Sequence, residues 1–505
     1  MKQRSVVELD RFFNPKSVAV VGATNNIVKA GNAIIKNLII NKKRGLFRGE
    51  VFPVNPNESR ILDFPCYSSL KAIPISPELV VIAVPANIVP QIMKDAATKK
   101  SKAVIIFSSG FGEIGNQKLE NQVVKIAKDA GMRVLGPNCV GVYDAKTGVD
   151  SLFLPETKVL ISGKEVVATP RPMPGNIAIV TQSGAFGIAA LDYLAGRQIG
   201  TSKLVSFGNK CDVDETEMLN YLSYDDETKV ILLYLEDVKH GRQFFRVAKD
   251  VTLEKPVVVL KTGRNVAGVR AAASHTGAIA GSDKIYDGVF KQTGIIRAEN
   301  MEDLFDCGKA LAMQPPTTGK NIGIITDAGG PGIMAVDECE LRGLTVNRFS
   351  SETLEKLEDL KEREKLPKFA TNLNPIDITG SGTAETFEQV TKILFEDPDI
   401  HGIILIGLHH QPGLQEDFID RIAEVADNYC KPIVACDIGE TEMALYSRFR
   451  FDRLGIPSYF SPEGTARAMK ALASYGTYLK RNDCFESYVR NFVEKRHSNL
   501  AVKQA

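Results

Sequence analysis

The sequence predicts an α/β protein made of doubly wound parallel sheets in three successive domains. Three observations predict it: short β-branched runs alternating with helical patterns up to about residue 140, proline-marked connectors further on, and an internal duplication. The length of 505 residues agrees, at roughly 150 residues per domain. The β-branched runs are Ser17–Val21, Glu50–Val54, 79–84, 103–107 and Arg133–Leu135, separated by segments long enough for crossover helices. The first run meets the turn Gly22-Ala23-Thr24-Asn25-Asn26, and Gly31 opens an apolar-periodic helix over residues 32–40. A phosphate group could sit on that helix N-terminus.

The connectors are Ala168-Thr169-Pro170-Arg171-Pro172-Met173-Pro174-Gly175 and Met313-Gln314-Pro315-Pro316-Thr317-Thr318-Gly319. A shift of 145 residues superposes the segment after the first connector on the segment after the second: Asn176, Ile177, Ile179, Thr181, Gly184, Gly187, Ile188, Ala190 and Asp192 meet Asn321, Ile322, Ile324, Thr326, Gly329, Gly332, Ile333, Ala335 and Asp337. Nine matches in seventeen positions without low complexity indicate a duplication. Later the offset grows, so that Lys255-Pro256-Val257-Val258 corresponds to Lys431-Pro432-Ile433-Val434 and Gly263 to Gly439. The expected domains are 1–145, 146–316 and 317–475, with 476–505 a charged tail or docking segment.

Composition excludes other classes. The chain is 44% hydrophobic and 24% charged, and 62 Lys+Arg against 61 Asp+Glu leave a net charge of +1, so no global basic field recruits nucleic acid or anionic lipid. Its eight cysteines include no C-x-x-C pair and read as reduced thiols, and no run reaches ~18 apolar residues. The expected location is the cytoplasm, with no membrane and no nucleic-acid partner.

Four places can carry chemistry. The Gly22 turn reads as a nucleotide site, yet Thr24 stands where a nicotinamide site wants its second glycine, and the second strand ends Val54-Asn55-Pro56-Asn57 without an acidic residue for a ribose. The duplicated turns Thr181-Gln182-Ser183-Gly184 and Thr326-Asp327-Ala328-Gly329-Gly330 each join a strand to a helix and can hold an anion, together if both point at one place. Ala273-Ser274-His275-Thr276-Gly277-Ala278 is a glycine-flanked loop presenting an imidazole, a competent phosphoryl acceptor. Tyr234-Leu235-Glu236-Asp237 ends an apolar strand over 230–233, where a carboxylate can fix a histidine tautomer. In the second copy no histidine loop follows Gly439 and the counterpart of Glu236 falls near Leu408, so that copy keeps the turn and loses the chemistry. His409-His410 lack a ligand partner at metal spacing, and no metal site is expected.

Taken together, Pro15-Lys16-Ser17-Val18-Ala19-Val20-Val21-Gly22-Ala23, Gly136-Pro137-Asn138-Cys139-Val140-Gly141, Gln182-Ser183-Gly184-Ala185, Gly208-Asn209-Lys210 and Ser274-His275-Thr276-Gly277-Ala278 resemble the α subunit of the ADP-forming acyl-CoA synthetases, relatives of succinyl-CoA synthetase. The resemblance runs in order from about residue 10 to 475. It implies a Rossmann-like CoA-binding domain followed by two duplicated flavodoxin-like domains of the succinyl-CoA-ligase type. It also implies a relay in which phosphate attacks an acyl-CoA thioester, the acyl phosphate phosphorylates His275, and phosphohistidine phosphorylates ADP. Glu236 would orient His275, and Ser183, Gly184, Gly329 and Gly330 would cradle its phosphate. CoA would meet Gly22, Ala23, Thr24, Asn55, Val84, Pro85 and Ala86 at its nucleotide end and Asn138 and Cys139 near its thiol. Asn57 stands where the family often has a basic residue, so that phosphate contact is not expected. No segment remains for an ATP-grasp domain, so ADP or ATP with Mg²⁺ would bind a separate ATP-grasp β subunit, in a heterotetramer. The alternatives are a CoA-binding regulatory or scaffold protein that kept the fold, and an NAD-dependent oxidoreductase.

Overall fold

The five expected amino-terminal strands form one parallel sheet in the computed structural model, which describes residues 2–270 and 282–504. They are β1 (Ser17–Val21), β2 (Glu50–Val54), β3 (Leu79–Ile82), β4 (Ala103–Ile106) and β5 (Arg133–Leu135), in the order β2-β1-β3-β4-β5. β1 is buried at every position, as a strand covered on both faces must be. Strand order reverses between β1 and β3, so the crevice at their carboxyl ends is the topological switch point where such sheets take ligands.

Two glycines shape that crevice. Gly22 has φ +91°, and a Cβ there would lie 2.4 Å from the Ala83 carbonyl oxygen. The helix α1 (Ala30–Lys43) begins two residues earlier than expected and packs directly on the turn, since a Cβ on Gly31 would lie 2.0 Å from the Gly22 carbonyl oxygen.

The second sheet has the order β11-β10-β9-β7-β8-β6, from β6 (Gly141–Asp144), β7 (Pro174–Thr181), β8 (Thr201–Ser206), β9 (Val230–Leu235), β10 (Val257–Lys261) and β11 (Ile296–Ala298). Gly141–Asp144, expected to close the amino-terminal domain, pairs antiparallel with β8, matching Val142 to Val205. Four residues carry no period that assigns them to one sheet or the other. The two sheets share one apolar core running from Leu9 and Val20 through Val142 and Val205 to Leu233, and they form a single unit, Met1–Arg297.

The second unit, Ala298–Ala505, holds a parallel sheet of order β13-β12-β14-β15-β16, built from β12 (Ile322–Thr326), β13 (Ile376–Asp377), β14 (Gly402–Ile406), β15 (Ile433–Cys436) and β16 (Ser458–Tyr459). Helix Met301–Met313 belongs to this unit, tied by Arg467 Nη2 to Asp306 at 2.7 Å and Lys309 Nζ to Asp452 at 2.7 Å. Residues 476–505, expected as a tail or docking segment, are helical and packed. The helix Pro462–Arg481 runs through Gly476 with Tyr478 and Leu479 buried, and a second helix, Phe485–Gln504, stands Tyr488 edge-on against Tyr475 at 5.3 Å. A few large aromatic anchors do what regular apolar spacing does elsewhere. No helix among the described residues is long and apolar enough to cross a membrane.

The duplication is visible atom by atom. Thr181 Oγ1 donates to Ser183 O at 2.8 Å and Thr326 Oγ1 to Ala328 O at 2.8 Å. A Cβ on Gly187 would lie 2.8 Å from Thr181 Cγ2, and one on Gly332 would lie 2.8 Å from Thr326 Cγ2. The matching residues are therefore those whose size and backbone bonding build the strand-turn-helix corner.

Alanine normally favours a helix over glycine by about 1 kcal/mol. Gly31→Ala is nonetheless expected to destabilise by about 1–3 kcal/mol through overpacking against the Gly22 turn. A lowered urea midpoint at unchanged slope checks this; a raised midpoint would refute the contact.

Candidate active site

Within the first unit, a cavity of about 550 Å³ opens where the carboxyl ends of the two sheets meet. One wall is the turn after β7, where Ser183 caps helix α2 (Gly184–Gly196) by accepting from Phe186 N at 3.3 Å. Another wall is Asn138-Cys139-Val140, with Asn138 in the left-handed region at φ +58°. Val140 presses on α2 so closely that a Cβ on Gly184 would lie 2.4 Å from its Cγ1. The sequence-predicted Asn138, Cys139, Ser183 and Gly184 thus meet in one place.

Buried polar groups position this wall. The Gln182 side-chain oxygen accepts from Glu236 N at 2.7 Å and Asp237 N at 3.1 Å, while its amide donates to the Asp237 carboxylate. Lys210, 3% exposed, pairs with Glu215 Oε2 at 3.0 Å and Asp237 Oδ1 at 3.0 Å. Asn209 donates to Glu113 Oε2 at 2.6 Å and Glu120 Oε2 at 2.9 Å. Burial raises the Glu113 pKa, but hydrogen bonds from Asn209 and the Gly110 and Phe111 N–H groups outweigh it and hold the carboxyl below its usual value. Sequence reasoning missed Glu113, Glu120 and Glu215, which carry no motif; their burial is visible only in the structure.

Glu236 is buried beside the Gln182 amide, and His275 lies outside the described residues. Cys139 lines the cavity but is 3% exposed and directs its thiol to the Ile106 carbonyl at 3.4 Å. Burial pushes that thiol up to about 12, so it stays protonated and serves packing. Phe186 stacks on Tyr234 at 4.4 Å.

The remaining predicted residues gather at the first sheet's switch point. Gly22 N donates to Val54 O at 3.0 Å, Asn55 Nδ2 to Ala23 O at 2.8 Å, and Asn32 Nδ2 to Thr24 O at 2.8 Å. Val84, Pro85 and Ala86 follow β3 beside them, with the Val84 carbonyl accepting from Ser108 Oγ.

The second unit's turn has the same backbone and different chemistry. Gly329 and Gly330 begin helix α3 (Gly329–Leu341), which has no side-chain cap, and Asp377 Oδ2 would lie 3.0 Å from a Cβ on Gly329. Asp327, in the place of Gln182, accepts from Leu408 N at 3.1 and 3.2 Å. His409 Nδ1 meets Asp437 Oδ1 at 2.7 Å, and its ring lies 3.9 Å from that of His410. Copy two has therefore replaced its polar set with another, and His409 is a carboxylate-bound imidazole. Among the described residues, no group of three or more His, Cys, Asp or Glu could hold a metal ion.

A crevice at a switch point, together with a helix N-terminus opening a second sheet's turn, is the arrangement in which α/β folds bind nucleotide and anionic ligands. The chain matches the CoA binding domain over residues 16–145, the succinyl-CoA ligase like flavodoxin domain over 174–311, and the Ligase-CoA domain over 322–476. It belongs to the family of ADP-forming acetate/acyl-CoA ligases. It is 38% identical to the α subunit of acetate–CoA ligase [ADP-forming] I of Pyrococcus furiosus, over 94% of this chain and 99% of that one. It is also 38% identical to acetate–CoA ligase [ADP-forming] I of Archaeoglobus fulgidus over 94% of this chain, which spans only 64% of that relative's length. Among solved structures, an acetyl-coenzyme A synthetase 1 of Ca. Korarchaeum cryptofilum in complex with phosphate and ADP superposes with a TM-score of 0.83 at 33% identity, covering 94% of this chain and 98% of that one.

Burial, opposed by the Leu408 N–H and reinforced by the Asp437 and Asp377 carboxylates, pushes the Asp327 carboxyl up to about 7. A folded-state pKa above the unfolded value means the native state binds more protons, so stability falls as pH rises from about 4 through 7. Asp327→Asn, which restores the amide chemistry of Gln182, is expected to stabilise the protein at pH 8 by an amount on the order of 2–4 kcal/mol, with the gain vanishing towards pH 4. Urea midpoints across that range test it; a gain independent of pH would refute the assignment.

Proposed function

We propose that this chain is the catalytic α subunit of an ADP-forming acyl-CoA ligase of the acetate type. It interconverts acyl-CoA, phosphate and ADP with the free acid, CoA and ATP. The observation that carries this reading is the single cavity joining Asn138 of the CoA-binding domain to the Ser183-Gly184 anion turn, with the buried Lys210-Asp237 pair beneath.

CoA lies with its nucleotide end at Gly22, Ala23, Thr24, Asn55, Val84, Pro85 and Ala86 and its thioester by Asn138. Phosphate rests on the N–H groups opening α2, where the helix dipole favours an anion. A phosphate oxygen attacks the thioester carbonyl, the C–S bond breaks, and the thiolate takes a proton to leave as CoA. His275 then attacks phosphorus, the P–O bond to the acyl group breaks, and the carboxylate leaves. Glu236, held by its own N–H on the Gln182 amide, orients the imidazole so that one ring nitrogen is free to attack. Gly329 and Gly330 form the second candidate cradle for the phosphoryl group, on the uncapped terminus of α3.

ADP, with Mg²⁺, binds an ATP-grasp β subunit in a hetero-oligomer; the α-subunit naming of the Pyrococcus relative supports a separate partner.

The test is to incubate the purified chain, alone and with its nucleotide-binding partner, with acetyl-CoA and radiolabelled phosphate. Acid-labile, base-stable label is expected on wild type and absent from His275→Ala. Label persisting on His275→Ala would move the phosphoryl acceptor elsewhere. Intact CoA binding without label from any acyl-CoA would favour a CoA-binding regulatory protein.

A further inference from the structure

One buried cation at the strand ends of the first unit takes no part in the chemistry above. Lys261 is the last residue of β10 and is only 1% exposed. Its Nζ donates to the Thr262 carbonyl oxygen and lies 4.6 Å from the centre of the Tyr286 ring. Among the described residues it makes no ion pair, whereas Lys210 is shared by Glu215 and Asp237, and Arg297 by Asp283 and Asp287. The groups that face it are Glu236 and Asp237 at the end of β9, Asp283 and Tyr286 on the helix Asp283–Thr293, and Arg297 on β11. Burial pulls the Lys261 ammonium below the usual lysine value, and Arg297 adds to this, while the Asp283, Asp237 and Glu236 carboxylates oppose it.

The two residues that the ammonium touches grip the strand end carrying Glu236. Thr262 N donates to Leu235 O at 3.0 Å, and the Tyr286 hydroxyl accepts from Val238 N at 3.2 Å. Glu236 and Asp237 are thus bracketed from both sides. The duplicated sheet shows that a direct ion pair fits at this place. Register pairs Thr181 with Tyr234 and Tyr234 with Leu260 in one copy, and Thr326 with Ile406 and Ile406 with Cys436 in the other. Asp437 therefore stands where Lys261 does and His409 where Asp237 does, and those two close to 2.7 Å. In the first copy Asp237 is taken by Lys210 and Gln182, which leaves the Lys261 charge uncommitted. A buried ammonium without a counter-ion is costly, and function is a reason to keep one.

We propose that Lys261 is a positioning residue for phosphoryl transfer: its uncommitted ammonium holds the Glu236-Asp237 strand end and offsets the negative charge that the phosphoryl group brings to it. This rests on the ligase reading above and adds a residue to it. The chain gives up stability for that charge, since methionine replaces the stem without the unpaired ammonium. The native state holds the Lys261 proton less tightly than the unfolded chain, so the loss is present at neutral pH and fades as pH rises towards the usual lysine value.

The experiment compares wild type, Lys261→Met and Lys261→Arg as full chains with the nucleotide-binding partner present. It reads urea midpoints at neutral pH and the rate of acid-labile labelling from acetyl-CoA and radiolabelled phosphate. Lys261→Met is expected to keep or raise the midpoint and to leave KM for acetyl-CoA unchanged, yet to lower kcat by about 10- to 100-fold. Lys261→Arg should recover rate and hold it to higher pH than wild type, whose ammonium loses its proton earlier. A wild-type rate from Lys261→Met, a Lys261→Arg rate no better than that of Lys261→Met, or a midpoint that falls along with the Lys261→Met rate would overturn the proposal. No label from wild type with any acyl-CoA would instead sink the ligase reading, and this role with it.

Discussion

The site depends on one backbone-to-backbone contact. At Gly208, φ +52°, a Cβ would lie 2.2 Å from Pro137 O and 2.4 Å from Asn138 O, so the turn after β8 rests directly on the turn after β5. From there the two segments run side by side, with Asn209 N donating to Pro137 O, Cys211 N to Gly136 O and Val213 N to Val134 O at 2.9–3.2 Å. Arg133 reinforces the seam, binding Asp212 at 3.0 Å and Glu217 at 2.6 Å from a largely buried position. The turns at the carboxyl ends of the parallel strands in the two sheets thereby meet, and the cavity is the space between them. Without a glycine at 208 the Asn138 turn and the Ser183-Gly184 turn would be held apart.

Charge follows from that enclosure. Lys210 is placed on the short Gly208-Asn209-Lys210 turn, so its ammonium is buried with the turn and must be matched, which Glu215 and Asp237 do. Gln182 reads the same strand end through neutral hydrogen bonds, holding Glu236 and Asp237 by their N–H groups. A wall built this way is preorganised by its own hydrogen bonds.

The two related sheets show which parts of such a corner are geometry and which are chemistry. Threonine at 181 and 326 and glycine at 187 and 332 recur because one methyl and one missing Cβ set the helix-to-strand distance. Between them, Gln182 becomes Asp327, and the partner strands carry Asp237 in one copy and the His409–Asp437 pair in the other. Polar residues were free to diverge because the turn is held by backbone and packing.

Much of this was legible in advance. Strands such as Ser17–Val21 and the Gly22, Ser183-Gly184 and Gly329-Gly330 turns follow from local rules: β-branched runs form buried strands, and glycine goes where the backbone turns or approaches. The duplication, and with it the repeated sheet, is a property of sequence alone. Tertiary structure decided everything that rests on contacts between distant segments. Gly141–Asp144 joined the second sheet by pairing with β8, and helix Met301–Met313 joined the second unit through Asp306 and Lys309, choices that four residues or one amphipathic helix cannot encode locally. Likewise Glu113, Glu120, Phe107 and Phe153 meet around one cavity, with Glu215 beneath it on Lys210, because folding brought them together. Local propensity acts over a few residues, whereas burial and charge pairing act between residues that meet only in space.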